Sequence, residues 1–363
     1  MARRTAHRVH SRKRRQPLWL TISMWVIGIA VFCMTCLTLT LYNGIFVAPY
    51  QVHSNFSQIR STKIPASLNQ LSIVYLSDIE YGENFPVEKG DKLFDEIASL
   101  DPDVLLIGGD LFSKNAEVSG EMRDQMVNWI SRVEAPSGKF AVYGEQDQTS
   151  MNRLLEVNDV YGRSQVEMLD NASVLLSNGS GSGIRLAGLG LQPDPEAIAS
   201  TIPGDTYCLM LSHFPDNLLA VQNSSLRPDL ALCGNSHGSQ VKWPIFGNYR
   251  TVEGSTQINR SKSQKLSFPY TISSGIGCVD VPAKINSPVE YSYFTLVSGS
   301  KADDNAPAQA PLLTSSLQSD ASSQTDAPAE DAQSGTDQPM EGETPSAETE
   351  MPVENPEAAP AEN

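Results

Sequence analysis

The sequence predicts an α/β domain that follows one long apolar segment and precedes an acidic tail. Short apolar runs rich in β-branched and aromatic residues, each ending in polar residues, are typical of buried strands. Stretches with apolar residues at helical spacing separate the first of these runs. Strands that alternate with helices indicate a parallel or mixed sheet covered by helices.

The N-terminal part predicts a membrane anchor. Residues 1–16 contain seven Lys or Arg and no acid, and Leu18–Ile45 contains no charged side chain. A helix needs about 20 apolar residues to cross a bilayer. Because basic segments stay in the cytoplasm, residues 1–16 are predicted to be cytoplasmic, 17–46 a transmembrane signal anchor, and the rest outside the cell membrane. A cleaved secretory signal is the alternative, with the same location for the domain.

Two further segments flank the predicted domain, residues 67–300. Residues 47–66 are polar without a clear period, which indicates a spacer. Residues 301–363 contain one Lys and 14 acids among Pro, Ala, Ser and Thr. Such a composition buries too little apolar surface to offset its ordering entropy, so we expect a disordered tail. The tail is interpreted as a solvated spacer, and binding of cations or basic partners is the alternative.

The predicted domain opens with strand, helix and strand. Leu71–Asp78 and Asp103–Asp110 are the two apolar runs, and positions 93, 94, 97 and 100 between them have helical spacing. Positions 122, 126, 127, 130 and 133 predict a second helix before a strand at Lys139–Gly144.

The second half of the domain predicts more strands. Ala172–Leu191 has two apolar runs around a Gly-Ser turn, typical of a hairpin. Tyr207–His213 and Asp229–Gly234 are two further strands, and Tyr291–Val297 is the last. The cysteines at positions 208 and 233 lie in such runs, which favours small buried core residues over a disulfide framework.

Acids and histidines gather at the ends of the predicted strands. They lie in five groups: Asp78 and Glu80; Asp110; Glu145, Gln146 and Asp147; His213; Asn235 and His237. In open α/β sheets, ligands bind outside the carboxyl ends of the strands. Asp, Glu, Asn and His are side chains that Mg, Mn, Fe or Zn accept. The pattern therefore predicts a metal site at this edge.

From about Ser72 to Leu296 the chain resembles the calcineurin-like metallophosphoesterases, in particular their membrane-attached bacterial branch. The resemblance rests on five phrases: Pro102–Asp110, Leu211–Pro215, Pro228–Gly234, His237–Gln240 and Ser274–Gly277. It implies a four-layer α/β/β/α sandwich.

The resemblance also implies seven metal-binding side chains and one catalytic histidine. Four of the eight positions match the family's pattern: Asp78, Asp110, His213 and His237. The other four differ from it: Glu80, Glu145, Gln146 and Asn235. By the family's geometry one metal would contact Asp78, Glu80, Asp110 and His237. The other would contact Asp110, Glu145, His213 and Asn235.

These differences predict altered chemistry. Exchanging imidazole for oxygen ligands favours one or two Mn or Mg ions over Zn, with Fe as a further candidate. Gln146 stands at the catalytic histidine position and cannot act as an acid, a role that contributes about 10²–10⁴ in rate. The expected activity is a reduced hydrolysis of phosphate monoesters, diesters or diphosphates. The alternative is a non-catalytic relative that serves as a surface binding or scaffolding protein, and no nucleic-acid partner is expected in either case.

A rival motif overlaps the last of the five groups. Gly234–Gly238 also satisfies G-x-S-x-G, the nucleophile elbow of α/β-hydrolases. The elbow needs a helix after the turn and a histidine later in the chain. A poor helix start comes next here, and His237 is the last histidine of the sequence, which disfavours a serine hydrolase.

Overall fold

The computed structural model describes residues 17–179, 181–243, 247–248, 251–261 and 264–299. The predicted cytoplasmic segment 1–16 and the predicted tail 301–363 lie outside the described residues.

The described part begins with a long apolar helix, α1, at Leu18–Tyr42. No residue of this helix is buried, and the mean hydropathy of its best window is 2.2. By length and composition the helix could cross a membrane, and a secretory signal would pass the same test.

The chain continues from α1 directly into the folded domain. One π-helical turn, Asn43–Val47, and one 3₁₀ turn, Ala48–Tyr50, lead into strand β1 at Val52–Ser61. This strand runs parallel to the last strand, Val289–Ser298, over ten residue pairs. Half of the predicted spacer is therefore an edge strand, which its mostly polar side chains, none of them buried, did not indicate.

The first sheet has six strands. After β1, its members in chain order are β2 (Ser72–Leu76), β3 (Val104–Ile107), β4 (Lys139–Ala141), β5 (Val166–Met168) and the last strand, β13 (Val289–Ser298). Their spatial order is β1-β13-β2-β3-β4-β5, with β2 to β5 parallel and β13 antiparallel to β2. Its helices are α2 (Val87–Ser99), α3 (Gly120–Arg132) and α4 (Met151–Arg163).

The second sheet has five strands in the order β12-β9-β8-β7-β6. These are β6 (Ala172–Ser177), β7 (Gly183–Leu189), β8 (Cys208–Ser212), β9 (Leu230–Cys233) and β12 (Tyr270–Ile272). As predicted, β6 and β7 form an antiparallel hairpin. Short helices α5 (Pro195–Ala199) and α6 (Leu218–Gln222) belong to this half, and β10 (Lys242–Trp243) pairs with β11 (Gly247–Asn248) separately.

Three apolar clusters hold the layers together. One packs α2, α3 and α4 on the first sheet, with Trp129 as its largest fully buried side chain. The second fills the space between the sheets, where Tyr75 of β2 and Leu211 of β8 belong to one cluster. The third joins the outer face of the second sheet to α5 and α6, and it contains both strand cysteines, Cys208 and Cys233. The predicted α/β/β/α layering is confirmed.

Candidate metal centre

Three loops at the carboxyl ends of strands bring distant residues to one point. Asp78 follows β2, Asp110 follows β3 and His213 follows β8, and each is at most 1% exposed. One ligand atom from each residue lies within 4.8 Å of the others. Because β2 and β3 run in parallel, and β8 ends on the same side of the facing sheet, the loops meet where the sequence placed a metal site.

The backbone at this point is in an unusual conformation. Asp78, Glu80, Asp110, Asn235 and His237 all have φ between 48° and 61°. Left-handed backbone costs non-glycine residues roughly 1–2 kcal/mol each and concentrates at functional sites. Backbone hydrogen bonds between the loops stabilise this conformation: Asp78 N donates to Gly109 O (3.0 Å) and Glu80 N donates to Asp110 O (3.1 Å).

Asp78 is the centre of one half of the site. Its carboxylate accepts hydrogen bonds from the Ser77 hydroxyl (2.6 Å) and from Asn235 N (2.9 and 3.1 Å). His237 Nε2 lies 3.4 Å from Asp78 Oδ1 and 3.7 Å from Glu80 Oε1. The side-chain Nδ2 of Asn235 donates to the Glu253 carbonyl at 2.6 Å, which leaves its Oδ1 as the atom that could bind a metal.

His213 is the centre of the other half. Its Nδ1 donates to the Gly108 carbonyl (2.6 Å), which leaves Nε2 facing Glu145 Oε2 (2.7 Å) and Asp110 Oδ2 (3.3 Å). Burial lowers the pKa of this imidazole, but the Asp110 and Glu145 carboxylates outweigh burial and raise the pKa of His213 well above its ordinary value. The reverse holds for Glu145: burial raises its pKa, and the hydrogen bond from His213 brings the pKa below the ordinary value.

Gln146 belongs to the same half. Its backbone N donates to Asp110 Oδ1 (2.9 Å), and its side-chain Nε2 donates to Glu145 Oε1 (3.1 Å). Each of the eight predicted site residues thus lies within 4 Å of another. One half contains Asp78, Glu80, Asn235 and His237, and the other contains Asp110, Glu145, Gln146 and His213.

Asp147 is a residue to which the sequence assigned no role. Its buried carboxylate accepts three backbone hydrogen bonds, from Asp110 N (2.9 Å), Leu111 N (3.0 Å) and Gly144 N (2.9 Å). It therefore ties the loop after β4 to the loop after β3. The only signal in the sequence was its place in the acid group after a strand, and that signal does not separate a loop clamp from a ligand.

The site carries more buried negative charge than its own cations balance. Burial, with the neighbouring carboxylates, raises the pKa of Glu80 well above its ordinary value. Burial also raises the pKa of Asp110 to about 8, although His213 opposes the shift. Burial lowers the pKa of Lys284, a fully buried amine that donates to the Ser274 carbonyl beside the site.

Several polar atoms of the site lack a hydrogen-bond partner within the described residues. They are Glu80 Oε1, Asp110 Oδ2, Gln146 Oε1 and His237 Nδ1. Buried polar atoms normally have partners, because leaving one unpaired costs about 1–3 kcal/mol. A divalent cation would satisfy the carboxylate oxygens and offset their charge. The residues present therefore fit a metal whose first ligands are Asp78, Asp110 and His213.

The rival hydrolase motif has a different local structure. Ser236 Oγ accepts a hydrogen bond from Gly238 N, and His237–Ser239 forms a single 3₁₀ turn. The chain then enters β10. A nucleophile elbow needs a strand, a sharp turn and a helix in succession, whereas β9 leads through this turn into another strand.

The chain is similar in sequence to known metallophosphoesterases. No family model matches the chain. The uncharacterized metallophosphoesterase YkuE of Bacillus subtilis is 23% identical over 257 residues, which cover 70% of this chain and 88% of that protein. The UDP-2,3-diacylglucosamine pyrophosphatase LpxG of Chlamydia muridarum is 25% identical over 261 residues, 56% of this chain and 75% of that protein. The chain is a distant homologue of the metallophosphoesterases.

One solved structure is also similar over part of the chain. The calcineurin-like phosphoesterase YfkN from Bacillus subtilis aligns with 62% of this chain and 90% of that chain, at 13% identity and a TM-score of 0.33. Metallophosphoesterases use divalent metals. In this chain, the buried group of Asp78, Asp110 and His213 could hold one.

Proposed function

We propose that the chain is a membrane-anchored, extracytoplasmic, metal-dependent phosphoesterase with an altered site. The observation that carries the proposal is the convergence of Asp78, Asp110 and His213 from three strand ends in a metallophosphoesterase homologue. Its substrates are phosphate monoesters, diesters or diphosphates.

Two overlapping sets of residues would bind the metal. Asp78, Glu80, Asp110 and His237 form one, and Asp110, Glu145, His213 and Asn235 form the other. A bound divalent cation supplies Lewis acidity and lowers the pKa of a water molecule. The oxygen-rich donor set favours Mn or Mg over Zn, with one or two ions bound.

The chain's own residues orient the reaction and limit it. The Gly108 carbonyl fixes Nδ1 of His213, so that Nε2 is presented to the site. Gln146, buried against Asp110 and Glu145, offers no acidic proton to a leaving oxygen. We therefore expect the fastest turnover with leaving groups that need no protonation, such as an activated aryl oxide or the phosphate released from a diphosphate. One homologue is a pyrophosphatase by name, which agrees with this preference.

The proposal is tested with the full chain, purified in detergent and loaded with Mn or Mg. Hydrolysis of an activated aryl phosphodiester should vanish in Asp110→Asn. Gln146→His should restore an acid and raise the rate on an alkyl ester with a poor leaving group, by up to about 10²–10⁴. Gln148→His is the matched control, since the same exchange is made at an exposed position two residues along. Equal rates in both glutamine variants would contradict the assigned role of position 146.

A second candidate function has its own supporting observation. Four of the eight site positions differ from the family's pattern: Glu80, Glu145, Gln146 and Asn235. A chain that has lost the catalytic histidine in this way would be a non-catalytic surface binding or scaffolding protein. Absence of turnover with every ion, in a folded protein that contains less than one metal per chain, would favour this candidate.

The location proposal is tested separately. The N-terminus would be cytoplasmic and the phosphoesterase domain outside the cell membrane, with the apolar helix α1 as the single anchor. Protease added to intact cells should remove the C-terminal residues and spare an N-terminal tag. Protection of both ends would contradict the orientation.

A further inference from the structure

A cleft with an apolar wall opens beside His237. Its volume is 370 Å³, and it is lined by Ser239 and Gln240 together with three valines, Val252, Val279 and Val281. Val281 is 43% exposed, so its side chain is open to a ligand in the cleft.

This cleft lies next to the end of the apolar helix. The Gln240 side chain holds the valine wall: its Nε2 donates to the carbonyls of Val279 (2.9 Å) and Val281 (2.8 Å), and its Oε1 accepts from Val279 N (2.7 Å). The backbone carbonyl of Gln240 accepts from Ile285 N at 2.9 Å. The preceding residue, Lys284, donates its backbone N–H to Gly44 O at 2.8 Å. One chain segment therefore separates the cleft wall from the residue two positions beyond α1.

The C-terminal end of α1 carries residues that are typical of a membrane–water interface. Tyr42 and Tyr50 lie on either side of Gly44 in the chain, and both are exposed. Tyrosine concentrates at the level of the lipid headgroups, where its ring is in the apolar layer and its hydroxyl in water. In the proposed membrane setting Gly44 lies at the outer surface of the bilayer. Because β1 follows at once and pairs with β13 over ten residues, the cleft is held close to that surface.

A second, polar cleft adjoins the first. It has a volume of 130 Å³ and is lined by Glu80, Glu83, Asn84, Ser113 and Lys114. Val279 and Asp280 border both clefts. Glu80 lines the polar cleft and His237 lines the apolar cleft, and Glu80 Oε1 lies 3.7 Å from His237 Nε2, so each cleft reaches one residue of the candidate metal centre.

We propose that the substrate is an amphiphilic phosphodiester or diphosphate drawn from the membrane that holds α1. Its apolar arm lies along Val252, Val279 and Val281, its polar arm enters the cleft beside Glu80, and the phosphoryl group lies between them. The inference rests on the proposed function and adds the class of substrate to it.

The first test measures binding, with the Mn-loaded full chain in lipid nanodiscs. Burial of two methylene groups is worth about tenfold in affinity. The wild type should therefore bind hexylphosphonate at least about tenfold more tightly than methylphosphonate. Val281→Asp should abolish this difference. Leu175→Asp, on β6 of the hairpin, is the matched control, because Leu175 is also 43% exposed, and it should keep the difference.

The second test measures hydrolysis of a lipid phosphodiester in the same nanodisc against a short-chain soluble diester. Val281→Asp should lower kcat/KM about tenfold more for the lipid ester than for the soluble ester. Equal affinity for the two phosphonates in the wild type, or equal behaviour of Val281→Asp and Leu175→Asp, would overturn the inference. Loss of the proposed function has a different signature, in which the binding preference persists and neither ester is hydrolysed.

Discussion

At the scale of single residues, Asp147 shows how a side chain outside the predicted ligand set positions the backbone of a metal-binding residue. Its carboxylate accepts three backbone N–H groups, including that of Asp110. The Asp216 carboxylate also accepts three backbone hydrogen bonds, from Thr256 N, Gln257 N and Ile258 N. It lies in the second half of the domain and is a matched comparison for Asp147. The two residues differ in whether a metal-binding residue depends on them.

Replacing each aspartate by alanine separates these roles. Asp147→Ala and Asp216→Ala should each lower the free energy of unfolding by about 3 kcal/mol, because several donors lose their partner. Only Asp147→Ala should also weaken Mn binding, by about 10–100-fold. Denaturant titration and calorimetric Mn titration give the two quantities. Equal Mn affinity in the two variants would show that Asp147 does not position the centre.

A buried lysine gives a pH dependence. Burial lowers the pKa of Lys89 to about 8. Cys278 beside it raises this pKa and Lys284 lowers it, and both effects are smaller than that of burial. Lys89 Nζ donates to the Ile276 carbonyl at 2.7 Å. Because the unfolded chain binds the proton more tightly, the free energy of unfolding should rise with pH above about 8 and level off near the ordinary pKa of 10.5.

In Lys89→Met this contribution should be absent. The variant should be more stable than the wild type below pH 8, by up to about 3 kcal/mol, and the advantage should shrink as the pH rises. Lys92→Met, on an exposed position of the same helix, is the control. Thermal melting of the metal-free protein at several pH values measures the difference, and a stability gap that does not change with pH would exclude this account.

The meeting of two acids and one histidine at one point was predictable from the sequence, whereas the contacts around them were not. Asp78, Asp110 and His213 follow apolar runs, and the carboxyl ends of parallel strands meet at one edge. The pairing of Glu145 with His213 depends on rotamers that only the assembled loops select. The same is true of Asn235, whose amide turns to the Glu253 carbonyl.

At the scale of elements, the contact between α2 and α3 depends on a glycine. A Cβ at Gly90 would lie 2.1 Å from the nearest ring atom of Trp129, which is fully buried between the helices and the first sheet. Gly162 in α4 has nothing within 4 Å of such a Cβ. The two glycines are therefore helical positions with opposite surroundings.

Alanine at these positions should have opposite effects. Gly162→Ala should stabilise the protein by about 0.5–1 kcal/mol, because alanine restricts the unfolded chain and favours helix. Gly90→Ala gains the same term but must displace Trp129, and overpacking costs about 1–3 kcal/mol, so it should be net destabilising. Denaturant unfolding of both variants measures the sign. Stabilisation by Gly90→Ala would mean that Trp129 moves without cost.

The elements that the sequence predicted were those with strong apolar patterns. The runs that became β2, β3, β8 and β9 are almost wholly buried, and the helical spacing before and after β3 became α2 and α3. By contrast, β1 was missed because an edge strand needs few apolar side chains when a neighbour supplies its hydrogen bonds. The helix α4 was not predicted either, and only four of its 13 residues are buried.

At the scale of the whole molecule, β1 decides where the folded domain begins. A fragment of residues 67–299 lacks β1 and would expose ten residues of β13, an edge that pairs readily with other chains. A fragment of residues 51–299 keeps the edge covered. Light scattering should show the longer fragment monomeric and the shorter one aggregating or melting lower. Equal behaviour of the two would show that β1 adds nothing to the stability of the sheet.

The unbroken passage from α1 through two helical turns into β1 has a consequence for kinetics. If α1 anchors the proposed phosphoesterase in a membrane, the short connection keeps the domain close to the membrane plane, whereas a long linker would let it reach into the solution. The rate at which the domain meets its substrate would then depend on the surface concentration of the substrate. Turnover in vesicles should therefore follow the mole fraction of ester in the lipid and stay constant when the suspension is diluted.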